Sequence, residues 1–200
     1  MTVKFINAKE AASMIKDGTT VAIDAFISFC LADDILSEIE TRFIEEGHPH
    51  SLSVVNVAGI GGDGKNRGIN HFAHKGLMKR FLCSNLSLAN KIYPLITENA
   101  FPCFMIPQGV LSHMMRAIAS GKPGIITEVG MKTFVDPRID GGCINDAAKA
   151  CSDIPVPVSY THLDVYKRQP EYSEKNGQDE QKRLFFLHSY SPVFLPAHYM

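Results

Sequence analysis

Short β-branched runs alternate with amphipathic helical stretches along most of this 200-residue chain. That alternation admits few architectures. TTVAIDAF (19–26), SLSVVNVA (51–58), FLCS (81–84), FMI (104–106) and GIITEVG (124–130) read as strands, bounded by glycine, proline or asparagine. Between them lie helical patterns. The first opens at Asn7, with Glu10 three residues on as in a capping box, and stops at Gly18. Residues 31–46 place Leu31, Ile35, Leu36, Ile39 and Phe43 on one face with acids opposite, and Gly47 ends them. A helix is also expected over 69–79. LANKIYPLITEN (88–99) is helical in its C-terminal part or kinked at Pro94, and VLSHMMRAIASG (110–121) is amphipathic with Gly121 as its stop. Strand followed by helix, repeated, predicts an α/β fold: an open, mostly parallel sheet with helices on both faces.

A net charge of −1 gives no basis for nucleic acid or an acidic membrane as partner. The chain has no apolar run of transmembrane length, and MTVKFINAKEAAS lacks the pattern of a secretory signal. Five scattered cysteines, Cys30, Cys83, Cys103, Cys143 and Cys151, form no C-x-x-C pair. They read as reduced thiols of a cytoplasmic protein, with burial the expectation for Cys30 and Cys83. His71 and His74 sit three apart, but no third ligand follows at a fitting spacing, so no metal site is expected.

The pattern changes after residue 150. PVPVSYTHLDVYKRQPEYSEKNGQDEQKR has no sustained period, and LFFLHSYSPVFLPAHYM is aromatic and proline-rich with no evident partner element. SYTHLDVYKRQ also resembles a peptide produced when sequencing-adaptor DNA is translated inside an assembled gene. The expected organisation is therefore a domain over 1–150, a non-native junction over 151–168 and a foreign or disordered tail over 169–200. A native flexible extension has the same composition.

The richest stretch is VVNVAGIGGDGKNRGINHFAHKG (54–76). Gly59, Gly64 and Lys65 have the G-x-x-x-x-G-K spacing of a phosphate-binding loop, but Asn66 stands where a Mg²⁺-binding Ser or Thr belongs. Gly59, Gly61 and Gly64 match G-x-G-x-x-G, but the expected ribose-binding acid is missing from the neighbourhood of Lys79 to Ser84. By spacing alone, a tight glycine connection with solvated Lys65 and Arg67 explains the segment best.

A longer comparison changes that weighting. GGDGKNRGINHFAHKGLMKRFL (61–82) resembles the first half of family I CoA-transferases, the acetate/propionate and 3-ketoacid type. Pro107-Gln108-Gly109-Val110-Leu111 and KPGIITEVGMKTFVDPRIDGG (122–142) agree with the same family in the same order. The resemblance implies transfer of CoA from an acyl-CoA to a small carboxylic acid through a glutamyl-CoA thioester. Coenzyme A would be a substrate, with no metal or organic cofactor. It implies a CoA-site loop at Gly59, Gly61, Gly62, Gly64 and Lys65. Gln108 and Gly109, with Asn56, would lie at the acyl group, where an amide can donate to an oxyanion. Gln108 as a plain turn residue is the alternative.

No catalytic residue is nominated. The family's nucleophile is a glutamate in an E-x-G-x-x-G context; Glu128-Val129-Gly130 belongs by order to the first-half motif, with Thr133 where the last glycine should be, and Glu174 has no such context. The chain alone is expected to be inactive, completed by its own missing C-terminal half or by a β subunit, and oligomeric when whole. A nucleotide-binding α/β domain of another kind is the rival reading. Two positions depart from the family: Asp24–Cys30 replaces a glycine-rich turn after the first strand, and Lys132 replaces a common glycine.

Overall fold

The computed structural model describes residues 5–62, 66–122 and 124–151, and the backbone of 184–187. The first helix, α1 (Ala8–Ser13), starts as expected: Asn7 Oδ1 accepts from the Glu10 amide at 2.8 Å, and Glu10 Oε2 accepts from the Asn7 amide at 3.1 Å. Then come β1 (Thr20–Ile23), α2 (Asp33–Glu46) and β2 (Leu52–Asn56). Gly47 closes α2 with φ of 75°, a left-handed stop that suits glycine. A 3₁₀ turn (Gly68–Phe72) leads to β3 (Met78–Cys83); α3 (Tyr93–Thr97), β4 (Cys103–Met105), α4 (Gln108–Ala119), α5 (Asp146–Lys149) and β5 (Leu184–Leu187) complete the described elements. Pro94 sits in the first turn of α3, where its missing N–H costs nothing.

The sheet runs β4-β3-β2-β1-β5, and all its pairs are parallel. Its alternating side chains feed two cores. Val21, Ile23, Leu52, Val54, Phe81 and Cys83 join Ala12 and Ile15 beside α1 and α2. Ala22, Val55, Leu82 and Phe104 face Val110, Leu111 and Ala148 of α4 and α5. Period-two alternation with apolar residues on both faces is what a parallel sheet covered on both sides requires. Fully burying each of the Val, Leu, Ile and Phe side chains among these contributes roughly 1.5–3 kcal/mol. Polar ties join the layers. Arg42 Nη1 of α2 donates to the Ala12 and Ile15 carbonyls at 3.1 and 3.0 Å, satisfying the end of α1. Buried Asn145 donates to the Ile96 and Phe101 carbonyls and accepts from the Cys103 and Ala148 amides.

Two expected elements differ. The helix over 69–79 is a 3₁₀ turn followed by strand: Gly76, with φ of 91°, breaks the chain, and Met78 and Lys79 join the sheet. GIITEVG is no strand. Ile126 and Val129 are exposed, and the outer edge of β4 is met instead by an antiparallel bridge from Cys143 to Phe104. The LFFL run, without a partner on sequence grounds, pairs with β1 as β5. The remainder of the expected junction and tail, 152–183 and 188–200, and Glu174 with it, lies outside the described residues.

Candidate functional site

All four well-packed strands point their C-terminal ends the same way, and the turns that follow converge there. Open parallel sheets bind ligands outside this edge. The turn after β1 and the glycine segment after β2 are zipped together. The Ile27 amide donates to the Gly59 carbonyl at 2.9 Å, the Gly61 amide to the Ile27 carbonyl at 3.3 Å, and Ser28 Oγ to the Gly61 carbonyl at 3.2 Å.

The turn after β1 departs from glycine yet keeps a glycine-like backbone. Ile27 and Cys30 have φ of 58° and 56°, and Lys132, the second departure, has 61°. Each such residue costs of order 1–3 kcal/mol. Phe26, Ile27 and Phe29 are exposed on this turn. Cys30 is exposed as well, against the expectation of burial, because the left-handed backbone turns it away from the core. Cys83 is buried, and its neighbour Cys103 together with desolvation pushes its thiol well above the ordinary range.

The glycines have a steric purpose. A Cβ on Gly61 would stand 2.3 Å from the Leu88 carbonyl oxygen, and one on Gly59 3.3 Å from Asn85. Gly62 packs against Arg67, while Gly64 and Lys65 lie outside the described residues. Asn56 ends β2 and is 1% exposed. Its Nδ2 reaches the Ile23 carbonyl at a long 3.5 Å, and its Oδ1 has no hydrogen-bond partner among the described residues. A buried acceptor left unpaired costs about 1–3 kcal/mol. Gln108 and Gly109 open α4 directly after β4, and both are exposed. Gln108 and Asn56 therefore share an edge, but β3 stands between their strands. A cavity of about 280 Å³ lies beside them, lined by Ala22, Asp24, Val57, Ser112, Met115 and Arg116.

A second constellation was hidden in the sequence. Glu40, 13% exposed, accepts from three directions: His71 Nδ1 at 2.6 Å, His74 Nε2 at 2.7 Å and Asn66 Nδ2 at 2.6 Å. His71 Nε2 lies 3.4 Å from Asp33 Oδ1, and Lys91 Nζ donates to Asn66 Oδ1 at 2.9 Å. Burial pushes the Glu40 carboxyl up, but the hydrogen bonds from His71, His74 and Asn66 outweigh it and hold it below its ordinary value. The two histidines thus share a carboxylate. His74, Asn66, Asn70 and Lys91 border a cleft of about 480 Å³. The available signal was helical spacing: Glu40 lies four residues after Leu36 and three before Phe43, on the apolar face of α2. Elsewhere Asp136 organises the 130–142 turn, accepting from Lys132 and Arg138 amides and from the Arg138 guanidinium, which holds its carboxyl well below the usual range.

Comparison with known proteins agrees with this architecture. The family model for coenzyme A transferase matches residues 5–180. The caffeate CoA-transferase of Acetobacterium woodii is 36% identical over 142 residues, 71% of this chain and 27% of that one. The acetate CoA-transferase YdiF of Escherichia coli K12 is 34% identical over 148 residues, 74% of this chain and 28% of that one. Crystal structures of YdiF from E. coli O157:H7, as apoenzyme and as a thioester complex with CoA, superpose with a TM-score of 0.69 at 33% identity, covering 72% of this chain and 28% of theirs. The chain thus spans little more than a quarter of the length of these relatives. In sequence and in the path of its parallel sheet, it belongs to the coenzyme A transferase family.

Proposed function

We propose that this chain is the N-terminal part of an acyl-CoA:carboxylate CoA-transferase, and that its strand-end turns form one wall of the acyl-CoA site. The match to YdiF in both sequence and fold carries the reading, since that protein has been solved as a thioester complex with CoA. A glutamate from polypeptide beyond this chain attacks the thioester carbonyl. The CoA thiolate departs and leaves an acyl-glutamyl anhydride. The thiolate then attacks the glutamyl carbonyl, the first acid leaves, and a glutamyl-CoA thioester remains for the acceptor carboxylate to reverse the sequence. Coenzyme A is a substrate here, and the reaction needs no metal or organic cofactor.

Gln108 is the proposed amide donor to the oxyanion, supported by its exposure at the start of α4, with Gly109 giving close access. Asn56, at the end of β2, is the proposed second donor at the acyl group. Gly59, Gly61 and Gly62, with Gly64 and Lys65, carry the CoA-facing loop. The relatives are single chains matched over about 28% of their length, which favours a continuous polypeptide over a separate β subunit. The five unpaired cysteines support a reducing, cytoplasmic setting.

Acyl-CoA and acetate mixed with a full-length reconstruction should give ping-pong kinetics, and the 200-residue chain alone should give no exchange. Sequential kinetics, or exchange by this chain alone, overturns the proposal.

A further inference from the structure

The opposite edge of the sheet holds a different group of side chains. Asp17 precedes β1, and His48 and His50 precede β2, so all three lie where the strands begin, away from the proposed acyl-CoA site. Asp17 Oδ2 is 2.8 Å from His48 Nδ1 and 3.2 Å from His50 Nε2, and one ligand atom from each residue lies within 4.8 Å of the others. Around a tetrahedral zinc with bonds of about 2.0–2.1 Å, neighbouring ligand atoms stand roughly 3.3 Å apart. The two imidazole-to-carboxylate separations are therefore already close to those of such ligands.

The supporting contacts fit as well. The His50 amide donates to Asp17 Oδ1 at 2.9 Å, which fixes the carboxylate and leaves Oδ2 toward the imidazoles. His50 Nδ1 lies 3.2 Å from Ser51 Oγ, so that nitrogen has its own partner and Nε2 is left for a ligand. The Gly18 amide donates to the His50 carbonyl at 2.9 Å and holds the two loops together. Side chains roughly half exposed leave the fourth position open to water.

We propose that Asp17, His48 and His50 form a surface site for a divalent transition ion of the zinc type, a clasp between the loops that enter β1 and β2. Two imidazoles and one carboxylate suit zinc, nickel or copper rather than magnesium or calcium. The site is separate from CoA transfer and stands whether or not that reading holds. An ion there joins residues 31 positions apart in the chain and stabilises the folded state only.

The test is equilibrium dialysis of the full chain against Zn²⁺, with Co²⁺ as a spectroscopic probe. One ion per chain is expected. His50→Ala and Asp17→Asn should each weaken binding at least tenfold and abolish the Zn²⁺-dependent rise in Tm, while His113→Ala, on the exposed face of α4, leaves both unchanged. The Co²⁺ spectrum should lack thiolate-to-metal charge transfer. Far-UV circular dichroism checks that each variant folds; should His50→Ala not fold, His48→Gln carries the same expectation. Equal Zn²⁺ affinity in the wild type and the His variants, or a thiolate signature at the bound Co²⁺, overturns the proposal.

Discussion

Glu40 and Asn56 are both nearly buried polar side chains, and the protein treats them in opposite ways. Glu40 sits on the flank of the sheet with three donors closing on its two oxygens. Asn56 sits at a strand end with its oxygen unmatched. A buried carboxylate whose hydrogen bonds are made holds elements together, here α2 and the 66–74 segment. A buried amide with one long hydrogen bond and its oxygen unmatched among the described residues contributes little to stability, which fits the acyl-site role proposed for it. On the proposed reading, stability and function then fall to different parts of one domain.

The largest effect that separates them is expected at Glu40. Glu40→Ala removes the acceptor shared by His71, His74 and Asn66 and should cost about 3 kcal/mol, read as a lower urea midpoint; a loss below about 1 kcal/mol would remove the flank from its structural role. Next comes Gln108→Ala in the full-length enzyme. It should lower kcat about 10²-fold as an oxyanion donor is lost, with the urea midpoint nearly unmoved because the side chain is exposed. Unchanged kcat would assign Gln108 to the turn. Asn56→Ala should cost about 1 kcal/mol or less, since only one long hydrogen bond is lost. A cost matching that of Glu40→Ala would erase the contrast.

The smallest effect is in the pH dependence. The folded Glu40 carboxyl is held below its ordinary 4.5, so the unfolded chain takes up its proton first as pH falls. Its contribution is complete above the unfolded value and is lost as pH drops through the folded one. Urea midpoints of Glu40→Gln should thus fall less steeply than those of the wild type from about pH 5 downward. Parallel curves would show that Glu40 gains nothing from its partners.

Much of the scaffold was legible because apolar runs and caps are local signals. The Asn7–Glu10 box, the α2 stripe and the β1 and β2 runs needed no knowledge of what they pack against. The failures were those of context. Met78 and Lys79 continue a helical pattern on paper, but the left-handed break at Gly76 and the free edge of β2 take them into the sheet. GIITEVG has β-branched residues but forms no ladder beyond a lone bridge at Ile126, and strand preference is realised only through neighbours. In the site, the first-half motifs led to Gln108 and the glycine segment. Glu40 reads as one of the solvated acids of α2 because its three partners lie 26 to 34 residues away.

The approach of Leu88 to Gly61 reaches beyond stability. With 2.3 Å between a Cβ at position 61 and that carbonyl oxygen, no side chain can be accommodated while the 85–88 segment stays where it is. A descendant lineage carrying alanine there must therefore have shifted one of the two segments against the other, so the residue at this one position reports, from genomic data alone, whether their close approach has been inherited or remade.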